Sequence, residues 1–116
     1  MNSIQISMYN ILGNSYCAQA EDGQKIFELI KKAFKEKKKV IVSFQNIDLI
    51  TSAFLNTAIG QLYDGTFSEK DIKNSITVTD MENDDMLLLK RVIDTAKLYY
   101  KDPKKMDKSI SEIMGD

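Results

Sequence analysis

The sequence predicts a single α/β layer domain in which a mixed four-stranded sheet is packed with three to four helices. Strand-like and helix-like segments alternate in the order ββαβαβα, followed by a C-terminal tail. Such alternation requires crossover connections, and therefore a sheet that is at least partly parallel. The chain has 116 residues, which corresponds to about one domain. We assign residues 1–102 to this domain and residues 103–116 to the short tail.

The first part of the chain predicts two strands, a helix and a buried strand. Residues 3–8 alternate apolar and polar side chains, which indicates a half-buried strand, and residues 15–19 form a second one after a Gly-Asn turn. Acidic residues at 21–22 suit the positive start of a helix, and lysines crowd its end. Residues 40–44 are almost continuously apolar, which is typical of a central strand covered on both faces. The apolar stripe of the helix consists of Ile26, Phe27, Ile30, Ala33 and Phe34.

A loop and a second helix follow this strand. Residues 45–50 are expected to form a loop whose apolar side chains, including Leu49, are buried. Thr51-Ser52 precede the second helix, which is expected to end before Gly65. Residues 66–74 are polar and predict a loop with a helical turn within it. The apolar face of the second helix consists of Phe54, Leu55, Ala58, Ile59 and Leu62.

The last part of the chain predicts a strand, a helix and the tail. Residues 75–79 alternate as a strand, and the acidic segment 80–85 starts the third helix. Asp102-Pro103 should end this helix, because proline cannot continue it. The tail either forms a short docking helix or frays. Its apolar residues stand at near-helical spacing: Met106, Ile110, Ile113 and Met114.

The composition mainly excludes functions. There is no histidine, no glycine-rich phosphate loop and one cysteine, so we expect no enzyme, no metal and no cofactor. Cys17 alone cannot form an internal disulfide, which fits a reducing, cytoplasmic location. No apolar run is long enough for a transmembrane helix. The net charge of −1 favours neither nucleic acid nor a membrane surface as a partner.

The near-zero net charge conceals two blocks of opposite charge. Residues 25–39 contain seven lysines and two glutamates, whereas residues 64–85 contain seven acidic residues and two lysines. The blocks either attract each other within the fold, mark two faces for a partner, or are plain solvated helix surface.

The most informative residues lie between the central strand and the second helix. Thr51 and Ser52 place two hydroxyls at a helix start, where free backbone N–H groups favour an added phosphate or a bound anion. The same residues also suit a plain N-cap.

At these residues the chain resembles the STAS domain, and more closely the STAS-like family of unknown function. The resemblance rests on the element order and on the Ile50–Phe54 run, where that family has an Ile-Ser-Ser-Ser-Phe type of sequence. It extends over roughly Gly13 to Tyr99. In bacterial anti-anti-sigma factors of the STAS class, the corresponding loop is Asp-Ser-Ser-Gly, and a histidine-kinase-type ATPase acting as a Ser/Thr kinase phosphorylates its first serine.

The resemblance implies a phosphoacceptor at Ser52, with Thr51 as the second choice. Thr51 stands in place of the aspartate, Ala53 in place of the second serine and Phe54 in place of the glycine. It implies a non-enzymatic regulatory or adaptor domain that binds a protein partner through residues 51–54 in a partner switch. The sequence is compatible with both a monomer and a homodimer. The alternative is a sensor of a nucleotide or other anionic small molecule, bound at the same helix start.

Overall fold

The computed structural model describes residues 2–101, so the predicted tail at 103–116 lies outside the described residues. Strands and helices alternate through this part of the chain. In order, they are β1 (Ser3–Ser7), α1 (Met8–Leu12), β2 (Tyr16–Cys17), α2 (Ala20–Lys35), β3 (Lys39–Ser43), β4 (Leu49–Ile50), α3 (Ser52–Ala58), a 3-10 helix (Gly60–Tyr63), α4 (Glu69–Ser75), β5 (Ile76–Thr79) and α5 (Asn83–Lys101).

The strands of the described residues form two separate parallel sheets. Strands β1, β3 and β5 form one sheet in the order β1-β3-β5, and β2 pairs with β4 in the other. The predicted mixed four-stranded sheet is therefore wrong in both strand number and strand direction, although the α/β class is confirmed. The predicted three to four helices are too few, because residues 2–101 form five α-helices and one 3-10 helix. Strand β1 pairs with β3 rather than with β2. The pair β1-β3 is parallel because α2 carries the chain back to the end of the sheet where β1 begins.

The three-stranded sheet has one covered face and one open face. Two rows of apolar side chains belong to the hydrophobic core or pack against it. On the other face, Ile41 is only half-buried, and its register neighbours Gln5 and Thr77 are exposed. The central strand is therefore fully covered on one face, and on the other face burial is limited to Ser43 at its end, so the expectation of cover on both faces is only partly met. The core rows are Ile4, Val40 and Ile76, and Ile6, Val42 and Val78.

Helices α2 and α3 pack closely at Gly23. A Cβ atom at this position would lie 2.7 Å from the backbone oxygen of Phe54 and 2.9 Å from Cβ of Thr57. The Phe54 side chain is fully buried. Glycine therefore allows the backbone of α3 to approach α2, and this packing holds the helix that begins at Ser52.

Capping residues set the ends of two short helices. The Ser7 hydroxyl accepts a hydrogen bond from the backbone N–H of Asn10, and Gly13 ends α1 with a φ of 77°. This helix replaces the end of the strand predicted for residues 3–8. The helical turn predicted within residues 66–74 is confirmed and extended as α4, whose N-cap is Ser68. Strand β4 lies within the predicted loop 45–50.

Candidate functional site

Thr51 forms three hydrogen bonds, two of which join the start of α3 to the end of β2 and to the residue that follows it. Its backbone N–H donates to the Cys17 oxygen at 3.0 Å. Its hydroxyl donates to the Ala18 oxygen at 2.8 Å and accepts from the Phe54 N–H at 3.2 Å. Thr51 is therefore the N-cap of α3 and a link between two parts of the backbone. Its hydroxyl is engaged as both donor and acceptor, which disfavours it as a phosphoacceptor.

Ser52 is the first residue of α3 and is exposed. Its hydroxyl makes no hydrogen bond with any residue between 2 and 101. Because Thr51 caps the helix, the Ser52 hydroxyl has no structural role among these residues. Of the two predicted phosphoacceptors, Ser52 is the accessible one.

The other two residues of the predicted contact set differ in their exposure to solvent. Ala53 is exposed beside Ser52, whereas the Phe54 side chain is fully buried and belongs to the hydrophobic core. A partner at this surface can contact Thr51, Ser52 and Ala53. Phe54 can support the surface only from below, so its side chain does not obstruct access to Ser52.

A pair of exposed apolar side chains lies next to this helix start. Tyr16 of β2 and Leu49 of β4 are register partners, and they are 56% and 48% exposed. Their neighbours Cys17 and Ile50 are register partners too, and both are buried. The two-stranded sheet thus has an inner apolar face and an outer face on which Tyr16 and Leu49 meet the solvent.

Sequence reasoning missed this pair. It placed Leu49 inside, where the structure exposes it, because an apolar run does not show which of its members face the core. The alternation of Tyr16 with Cys17 was the available signal. We call Tyr16, Leu49, Thr51, Ser52 and Ala53 the α3-start surface.

Cys17 lies beneath this surface and is not a reactive nucleophile. Its side chain is fully buried. Burial, with a smaller contribution from the nearby Asp22 carboxylate, raises the pKa of the Cys17 thiol from 9.0 to about 12. At neutral pH the residue is a protonated core side chain.

Residues 2–101 contain no cluster of three or more Cys, Asp and Glu side chains arranged to hold a metal ion. Asp80, at the start of the acidic segment, accepts a hydrogen bond from the buried Ser43 hydroxyl at 3.0 Å. No helix in this range is both long enough and apolar enough to cross a membrane.

The predicted anion site would lie at the same helix start as the predicted contact surface. Helix α3 has seven residues, and Thr51 already accepts the hydrogen bond of the Phe54 N–H. Anion binding at this helix start stays a prediction from the sequence.

A family described as a STAS-like domain of unknown function matches residues 22–86. The match runs from the first turn of α2 to the first turn of α5 and includes the whole of α3 and its N-cap. No curated protein and no solved structure gives a significant match.

Proposed function

Because the chain belongs to the family of STAS-like domains of unknown function, we propose that it is a non-enzymatic regulatory domain. It binds a protein partner through the α3-start surface, and phosphorylation of Ser52 switches this binding. The kinase is an ATPase of the histidine-kinase type that acts on serine and threonine, in the cytoplasm of a bacterium.

The observation that carries the proposal is that two neighbouring hydroxyls have different structural roles. Thr51 caps α3 with its hydroxyl, and Ser52 leaves its own hydroxyl exposed. A phosphate on Ser52 adds close to two negative charges without breaking a hydrogen bond of the fold. The modification would therefore change the charge of the surface while leaving the scaffold intact.

The exposed pair beside Ser52 supports the same surface. Tyr16 and Leu49 provide apolar contact area of the kind found at the centre of protein interfaces. Leu49 lies only three residues before Ser52, so a partner seated on the pair would be close to the phosphate. An acidic partner surface would be repelled, because like charges brought together at an interface oppose binding.

The first experiment incubates the full chain with ATP and with histidine-kinase-type ATPases of its source organism, starting with any that is encoded beside its gene. We expect one phosphate, located on Ser52 by mass spectrometry, and none on a Ser52→Ala variant. A Thr51→Ser variant keeps the capping hydroxyl and should be phosphorylated at Ser52 like the wild type. Absence of both modification and complex would refute the proposal.

A second experiment measures binding to the same ATPase by calorimetry. Ser52→Asp should weaken binding at least tenfold, whereas Ser3→Asp should not, because Ser3 is exposed on β1, outside the α3-start surface. Leu49→Ala should weaken binding, whereas Leu98→Ala, an exposed leucine of α5, should not. If Ser52→Asp binds as tightly as the wild type, the switch is wrong while the contact surface stands.

A further inference from the structure

A strongly basic region lies at the edge of the sheet where β3 and β5 begin. Two grooves flank α4 there, with volumes of about 310 Å³ and about 560 Å³. They are lined by six lysines and by the carboxylates of Glu69 and Asp71. We call this region the basic end; its lysines are Lys37, Lys38, Lys39, Lys70, Lys73 and Lys97.

Both grooves of the basic end contain apolar side chains. In the smaller groove, Phe34 and Phe67 are half-buried and pack edge to face, with ring centres 5.2 Å apart. Tyr63, Ile76 and Ile93 line the larger one. An occupant of the basic end therefore has to combine negative charge with apolar side chains.

The lysines of the turn after α2 are not needed to balance the dipole of that helix. Lys32 and Lys35 already place positive charge in the last turn of α2, where it suits the helix dipole. Lys37 lies beyond the helix with a φ of 59°, in the left-handed conformation that favours glycine. The backbone N–H of Lys38 donates to the Ala33 oxygen at 2.9 Å, as in a Schellman motif. The chain thus keeps a charged side chain where glycine would suit the backbone better.

The opposite edge of the sheet carries the complementary features. After β5, the chain has four carboxylates in six residues, and it has no lysine or arginine between Lys73 and Lys90. Met86 and Leu87 follow directly and are 53% and 60% exposed. We call this region the acidic end; its members are Asp80, Glu82, Asp84, Asp85, Met86 and Leu87.

The two ends do not neutralise each other within one copy. Lys39 begins β3, whereas the Ser43 hydroxyl at the end of β3 contacts Asp80. Five residues of parallel strand separate the ends by about 13 Å, which exceeds the Debye length of about 8 Å at physiological salt. None of the ion pairs formed among residues 2–101 joins the basic end to the acidic end.

We propose that copies of this chain associate head to tail, with the acidic end of one copy seated on the basic end of the next. The acidic end supplies carboxylates to the lysines, and Met86 and Leu87 to the apolar floors of the grooves. The two contacting surfaces differ, so the interface is heterologous and produces an open chain or a ring rather than a two-fold dimer. This association does not involve Ser52 and is independent of the proposed switch.

Sedimentation velocity of the full chain over a concentration series tests the proposal. In about 20 mM salt the mean sedimentation coefficient should rise with concentration, and in about 300 mM salt it should stay at the monomer value, because salt screens exposed charges. A monomer under all conditions would overturn the proposal. A discrete dimer that persists at high salt would overturn it as well.

Charge reversal distinguishes this arrangement from non-specific attraction. One variant carries Asp84→Lys and Asp85→Lys, and the other carries Lys37→Glu and Lys39→Glu; circular dichroism checks that both fold. Each variant alone should be monomeric at low salt, because it lacks one of the two complementary ends. An equimolar mixture should associate, because each variant retains the end that the other has lost. Association of either variant alone, or none in the mixture, would refute the head-to-tail contact.

Discussion

Replacing Thr51 by valine should destabilise the fold far more than removing the neighbouring hydroxyl of Ser52. Valine keeps the branched shape of threonine but removes the hydroxyl that bonds both Ala18 and Phe54. Loss of an N-cap costs about 1 kcal/mol, and loss of a second hydrogen bond costs about 0.5–1.5 kcal/mol. We therefore expect the free energy of unfolding to fall by about 2 kcal/mol in total.

Urea denaturation followed by circular dichroism measures this difference. In thermal unfolding, about 2 kcal/mol corresponds to a decrease in Tm of about 8 °C for a domain of this size. Thr51→Ser retains the hydroxyl and should lose much less stability than Thr51→Val. Ser52→Ala removes an exposed hydroxyl without a partner among the described residues, and should change stability by less than about 0.5 kcal/mol.

The comparison of Thr51→Val with Ser52→Ala can refute the reasoning. If the two substitutions cost the same, Thr51 is not the cap that holds α3, and the two hydroxyls do not have different roles. If Ser52→Ala costs more, the Ser52 hydroxyl is structural, and phosphorylation there would unfold the helix start rather than switch a surface.

Three further predictions concern packing, strain and ionisation. Gly23→Ala should lower the free energy of unfolding by about 1–3 kcal/mol, since its Cβ would meet the Phe54 backbone oxygen; equal or higher stability would contradict the close packing. Lys37→Gly should raise the free energy of unfolding by about 1 kcal/mol, because glycine adopts the left-handed φ without strain, whereas Lys37→Ala should not raise it. The pKa of the Cys17 thiol is raised in the folded state to about 12 from 9.0, so its contribution to stability is complete below pH 9 and is lost as pH rises toward 12. Between pH 8 and pH 10, the free energy of unfolding of the wild type should therefore fall by about 1 kcal/mol more than that of Cys17→Ala. If the free energies of unfolding of the two proteins change with pH in parallel, the thiol is not buried.

The sequence predicted those elements whose residues carry a long periodic pattern. The apolar face of the predicted second helix is buried at every position: Phe54, Leu55, Ala58, Ile59 and Leu62. The predicted end just before Gly65 is wrong, because α3 ends at Ala58 and a separate 3-10 helix follows it. Helix α1 was missed because its five residues are too few to show a helical period. Its signals were the two caps, Ser7 and Gly13, and only the second was noticed, as a turn.

The pairing of the strands could not be predicted in the same way. A period of two identifies a strand but carries no information about its neighbour, which is distant in sequence. The residues between β1 and β2 suggested a hairpin, yet β1 pairs with β3 and β2 with β4. Helix α1 stands between β1 and β2, and a turn at Asn46, whose φ is 67°, stands between β3 and β4. Neither feature has a periodic signature.

The sequence predicted where the candidate site lies along the chain, but not which residues form its exposed surface. The sequence grouped residues 51–54 as one contact set, because nothing in the sequence separates a cap from its neighbour. The structure assigns the cap to Thr51, buries Phe54 and exposes Ser52. It adds Tyr16 and Leu49, which a parallel ladder brings together from positions 33 residues apart.

The fold also separates the lysines that follow α2 from the carboxylates that follow β5. Helix α2 runs back to the edge where β3 begins, so the lysines at its end collect there. Strand β5 then carries the chain in the same direction as β3, and the acidic residues that follow it must lie at the far edge. Parallel strands thus keep the carboxylates that follow β5 away from the lysines of the basic end, whereas Glu69 and Asp71, which precede β5, lie among those lysines. Opposite charges that cannot meet within one copy remain available to another molecule, and this separation follows from topology rather than from composition.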